Sequence, residues 1–119
     1  MMLFRRGLRA FKNVQEFESA AIKELSQIAN SIDSQMEAID AESVELHEGV
    51  LQVDFPKGTF VVNKHSASGQ IWYSSPISPP AYFDPENGWI SKKLSMSLRD
   101  KFSKDIFDLT GHRVCLNQD

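Results

Sequence analysis

Two groups of residues in this chain have types and spacing that bear on chemistry. The first is a run of carboxylates, Asp33, Glu37, Asp40, Glu42 and Glu45. Carboxylate oxygens are hard ligands, and acids set this close repel one another, a repulsion that a bound cation relieves. For any single one of them, a solubilising acidic face with no specific ligand fits as well. The second group is Trp72 with Asn63, His65 and Gln70. A large aromatic among amides and an imidazole suits contact with another protein, because Trp is enriched at interface hot spots, where truncation costs roughly 2 kcal/mol or more. His47 and His65 could each add a nitrogen ligand, although a solvated histidine is the plainer reading. No HExxH, CxxC, phosphate-binding glycine loop or nucleophile–base spacing is present. The single cysteine, Cys115, excludes an intramolecular disulfide and a cysteine-rich metal site, and lying between Val114 and Leu116 it is expected to pack as a small apolar residue.

The 119 residues suffice for one domain, and no apolar run approaches the roughly 20 needed to span a bilayer. The net charge of −3 conceals an asymmetry. From Asn13 to Phe55 there are ten acids against one base, Lys23. An acidic body disfavours nucleic acid and anionic membrane as partners and favours cations or a basic protein surface. Residues 1–12 carry Arg5, Arg6, Arg9 and Lys12, apolar Leu3, Phe4, Leu8 and Phe11, and no acid. They have the character of an organelle-import presequence, leaving 13–119 as the folded domain.

The elements that must position these groups follow from hydrophobic periodicity. Asn13 and Glu16 form a capping box, after which Val14, Phe17, Ala21, Ile22, Leu25, Ile28, Ala29 and Ile32 recur at helical spacing to about Gln35. The period then becomes two. Val44 and Leu46, then Leu51, Val53 and Phe55, predict a hairpin turned at Glu48-Gly49. Strands over Thr59–His65 and Gln70–Ser74 follow, with short strands around Tyr82-Phe83 and Trp89-Ile90. A second helix starts at Ser97, stops at Gly111, and buries Leu98, Phe102, Ile106, Phe107 and Leu109. Helix, strands, helix predicts an α+β, two-layer sandwich with both helices on one face of an antiparallel sheet. Alternation then turns Glu45, His47, Gln52, Asp54, Val61, Asn63, His65, Gln70, Trp72 and Ser74 outward. The opposite register would bury Asn63, His65 and Gln70 without partners.

The stretch Gly58-Thr-Phe-Val-Val-Asn-Lys64 followed by Gln70-Ile-Trp-Tyr-Ser-Ser-Pro76 resembles the signature of the frataxin family, and the likeness runs from Asn13 to about Gly111. The resemblance implies an iron-binding accessory protein of iron–sulfur cluster assembly, an iron chaperone or allosteric activator, in the matrix of a mitochondrion or a related organelle such as a hydrogenosome. It implies weak binding of Fe2+ or Fe3+ by the acids named above. It further implies docking of the open sheet on a complex of cysteine desulfurase and scaffold protein through Asn63, His65, Gln70 and Trp72. A monomer that iron drives into oligomers fits the same family, and the alternative activity it carries is that of a ferroxidase or iron store acting on Fe2+. Two positions depart from the pattern: His65 stands where Gln is usual, and Tyr82 where a basic residue usually precedes the aromatic–Asp pair. The first helix is also less acidic than usual, with Ser19, Ala20, Lys23, Gln27, Asn30 and Ser31 where relatives often carry acids.

Overall fold

A computed structural model describes residues 13–116. The import segment 1–12 expected from sequence lies outside the described residues. Helix α1 spans Val14–Asp33, with the Asn13 side chain accepting from the Glu16 N–H at 2.9 Å. A single turn, α2 (Met36–Ile39), leads into the strands β1 (Ser43–His47), β2 (Val50–Phe55), β3 (Gly58–His65), β4 (Gln70–Ser74) and β5 (Ala81–Phe83). These pair antiparallel in chain order as one five-stranded sheet. A helical turn, α3 (Glu86–Trp89), a small pair β6 (Ile90–Ser91) and β7 (Met96–Ser97), and helix α4 (Leu98–Thr110) complete the fold. Ser97 caps α4 through the Asp100 N–H, and Gly111, at φ 79°, closes it in the left-handed conformation.

The core lies between the helices and one face of the sheet. Phe17, Ala21, Leu25, Ile28 and Ile32 of α1 and Leu98, Phe102 and Ile106 of α4 are buried with Leu51, Val53, Phe60, Val62, Ile71 and Tyr73. Fully burying each of the larger side chains is worth roughly 1.5–3 kcal/mol. Phe60, Tyr73 and Phe102 form an aromatic centre with ring centroids 5.0–6.2 Å apart.

Under that centre the Tyr73 hydroxyl donates to Asp105 Oδ2 at 2.6 Å. Ser78 Oγ donates to the same oxygen at 2.8 Å, and Lys101 Nζ to Oδ1 at 3.2 Å. Burial pushes the Tyr73 phenol up, reinforced by the hydrogen bond to Asp105 and its charge. Burial would raise Asp105, but the donated bonds from Tyr73, Ser78 and Lys101 outweigh it and hold the carboxyl below its ordinary value.

A second polar clamp joins the helices at their outer side. The Arg99 fork grips Glu24 through Nε at 2.9 Å and Nη2 at 2.8 Å, reaches Gln27 at 2.7 Å, and donates to the Leu116 carbonyl at 2.8 Å. Replacing Arg99 with Ala is expected to lower unfolding free energy by about 3 kcal/mol, because it strands the mostly buried Glu24 carboxylate. Urea denaturation measures this, and Arg99→Lys should recover only part of the loss, since an ammonium cannot reproduce the fork.

Several sequence expectations change. Val14 and Ile22 are exposed, because the buried stripe 17-21-25-28-32 leaves them on the flank of α1. Phe107 is exposed too and carries the Arg113 guanidinium 5.1 Å from its ring centre. Cys115 is exposed rather than packed. Its backbone is held instead, with the Gln35 amide bonding both its N–H and its carbonyl, and Leu116 supplies the buried side chain. Trp89 ends α3 rather than lying in a strand, because Asn87, Gly88 and Trp89 all take positive φ and interrupt the extended path. Its ring turns inward and meets Phe17 edge-on at 6.0 Å.

Candidate functional site

The face of the sheet away from the helices carries the outward set expected from alternation. The register places Glu45, Gln52, Val61 and Ser74 in one cross-strand row, and His47, Val50, Asn63, Trp72 and Tyr82 in the next. His65 pairs with Gln70 beyond them. Among the outward positions of the described strands stand two carboxylates, Glu45 and Asp54, and no lysine or arginine. The Asp54 carboxyl accepts from Ser43 at 2.6 Å, Thr59 at 2.8 Å and Gln52 at 3.2 Å, and these bonds, Ser43 first, hold it below its ordinary value. Lys64, at the end of β3, turns to the helix side and meets Glu18 of α1 at 3.5 Å. Its stem crosses Gly49 so closely that a Cβ there would sit 2.6 Å from Lys64 Cε, which accounts for the glycine together with its φ of 78°.

Trp72 sits at the centre of a linked group. The His65 ring stacks on it with centroids 3.5 Å apart and planes 11° from parallel. Tyr82, across the β4–β5 pair, meets it edge-on at 5.3 Å. The indole Nε1–H donates to Gln70 Oε1 at 3.1 Å, and Gln70 Nε2 donates to Asp84 at 3.1 Å. His65 Nδ1 lies 2.8 Å from Ser68 Oγ. Asn63 donates from Nδ2 to the Lys64 carbonyl at 3.0 Å. The structure thus brings Asn63, His65, Gln70 and Trp72 onto one contiguous surface. Strand alternation in the sequence points to no role for Ser68 and Asp84, and places Tyr82 in a short strand without linking it to Trp72. Asp84 is signalled by the aromatic–Asp pair; Tyr82 becomes a neighbour of Trp72 only through a pairing that spans the proline-rich 76–80 segment. Behind Tyr82, a hollow of about 350 Å3 between β5 and the β6–β7 pair is lined by Gln70, Asp84, Lys92 and Lys93 among others.

The acids are distributed differently. Asp33 ends α1, Glu37 lies in α2, Asp40 caps α2 at φ 63°, Glu42 precedes β1 and Glu45 faces outward on it. All five are exposed. They run as a ridge from the helix end to the sheet edge, and among the described residues no three His, Cys, Asp or Glu gather into a group that could hold a metal ion. Such a ridge can attract a hydrated cation and let it go; it offers no rigid first coordination sphere. His47 projects into solvent beside Glu48, 3.8 Å away.

An α+β module with a linked aromatic and amide cluster on its open sheet and a loose acidic ridge beside it is the class these features define. Residues 10–112 match the frataxin-like domain, and the chain belongs to the frataxin family. It is 32% identical over 97 residues to the mitochondrial frataxin homolog of Saccharomyces cerevisiae, covering 78% of this chain and 56% of the yeast protein. It is 30% identical over 104 residues to the mitochondrial frataxin of Dictyostelium discoideum, covering 82% of this chain and 54% of that protein. The chain therefore spans little more than half the length of these relatives. A crystal structure of trimeric yeast frataxin complexed with ferrous iron superposes with a TM-score of 0.69 at 32% identity, covering 76% of this chain and 85% of the other.

Proposed function

We propose that this protein is an accessory factor of mitochondrial iron–sulfur cluster assembly that docks by the Trp72 face on a cysteine desulfurase–scaffold complex and promotes sulfur transfer. The observation that carries the reading is the surface formed by Asn63, His65, Gln70 and Trp72, whose rings and amides are held in place before any partner arrives. Family membership and the mitochondrial names of the relatives support the pathway and the compartment. Iron is cargo in this reading. The ridge of Asp33, Glu37, Asp40, Glu42 and Glu45 holds it weakly through exposed carboxylates, in keeping with the ferrous complex of the yeast relative.

The test is kinetic. Purified desulfurase and scaffold are assayed for sulfide release and cluster formation with increasing amounts of this protein. Saturable stimulation is expected, and a rate that stays at the basal level at every concentration would remove the proposal. Replacing Asp33, Glu37 and Asp40 together, which lie off the sheet, should weaken iron binding measured by titration calorimetry while leaving the docking constant within about two-fold, because exposed charges away from the contact contribute little to it.

A further inference from the structure

Trp72 is half-buried although it projects from the open side of the sheet, because His65 and Tyr82 lie against its ring. His65 lies on the ring face and Tyr82 against it edge-on, so the indole is held from two directions. Each holder is itself fixed. Ser68 bonds the His65 ring at Nδ1, while the Tyr82 backbone is paired directly opposite Trp72 in the β4–β5 ladder. The remaining freedom of the indole, rotation that would swing its N–H away, is restrained by Gln70, which Asp84 anchors in turn.

We propose that His65 and Tyr82 are positioning residues that act as a pair, fixing the Trp72 indole in its docking orientation so that the chain presents a rigid three-ring pad. This rests on the docking reading above and adds to it how the tryptophan at its centre is held. A side chain already immobilised loses less conformational entropy on association, so the two rings raise affinity through Trp72 beyond whatever contacts they make themselves.

The experiment measures the indole and the docking separately. The 15N order parameter of the Trp72 Nε1–H is expected to lie in the rigid range of about 0.85 in the unaltered protein and to fall toward about 0.6 in His65→Ala or Tyr82→Ala. Affinity for the purified desulfurase–scaffold complex, read by titration calorimetry, should fall about five-fold in each, the size expected for one aromatic contact. His65→Phe, which keeps a ring to stack, should restore both values, and thermal unfolding controls for loss of fold. If Trp72→Ala weakens docking while both alanine variants keep full affinity and a rigid indole, the positioning roles are wrong and the docking face stands. If Trp72→Ala also leaves affinity unchanged, the docking reading fails and the pad fails with it.

Discussion

Replacing Trp72 with Ala is expected to abolish stimulation of the desulfurase–scaffold complex while leaving the fold intact. Among the described residues the indole is anchored by surface neighbours: a ring stacked at 3.5 Å, a ring edge at 5.3 Å and one hydrogen bond to Gln70. None of these belongs to the core between sheet and helices, so the loss of two ring contacts and one hydrogen bond should cost about 1–3 kcal/mol and leave the chain folded. Docking should suffer as well. Truncating a central interface tryptophan costs at least about 2 kcal/mol, which is a thirty-fold or larger loss of affinity. Circular dichroism and a melting curve establish the fold, and the rate of sulfide release establishes the activity. A folded variant with undiminished stimulation is incompatible with a docking role for this face.

The largest effect on stability is expected at Asp105, which is almost wholly buried and accepts from three side chains. Asp105→Ala leaves the Tyr73 hydroxyl and the Lys101 ammonium without their acceptor and should cost about 3–5 kcal/mol. Tyr73→Phe removes one donor and leaves the other two, so about 1–2 kcal/mol is expected. The pH dependence follows from the direction of each shift. Asp105 is held below its unfolded value, so its contribution is present above the ordinary carboxylate range near 4 and is lost as pH falls through the folded value. Tyr73 is held above its unfolded value, so its contribution is complete below about pH 10 and declines as pH rises beyond it. Asp105→Asn should therefore flatten the acid limb of the stability profile, measured by urea unfolding between pH 2 and pH 7, which about covers that window. An unchanged acid limb would show that other carboxylates govern acid unfolding.

Helix α1, helix α4 and the first four strands are legible from sequence because each buries one face at a regular period. The stripe from Phe17 to Ile32 and the alternation through Leu51, Val53 and Phe55 leave little choice of element or register. The outward set on β3 and β4 follows from the same alternation, which is why Asn63, His65, Gln70 and Trp72 could be grouped before their contacts were known. What escaped depends on long-range geometry. Trp89 reads as a strand residue because aromatic side chains favour strands, yet the left-handed run from Asn87 decides its path. Cys115 reads as a packed residue because it sits between two apolar neighbours, while an amide eighty positions earlier holds its backbone and leaves its side chain outside. The contact between Tyr82 and Trp72 has no local signature at all, since it depends on how β5 registers on β4 after a proline-rich excursion. The acidic ridge was visible as composition, but only the chain path shows its carboxylates spread over the helix end, a turn and an edge strand rather than gathered into one site.

The central claim is that the open sheet face meets the partner. It is tested most directly by titrating 15N-labelled protein with unlabelled desulfurase–scaffold complex and following amide and indole resonances. Losses of intensity and shifts concentrated on β3, β4 and β5, with the Trp72 indole among the first affected and the outer surface of α4 unchanged, are the predicted result. Perturbations centred on α4 with an unmoved Trp72 indole would contradict the account.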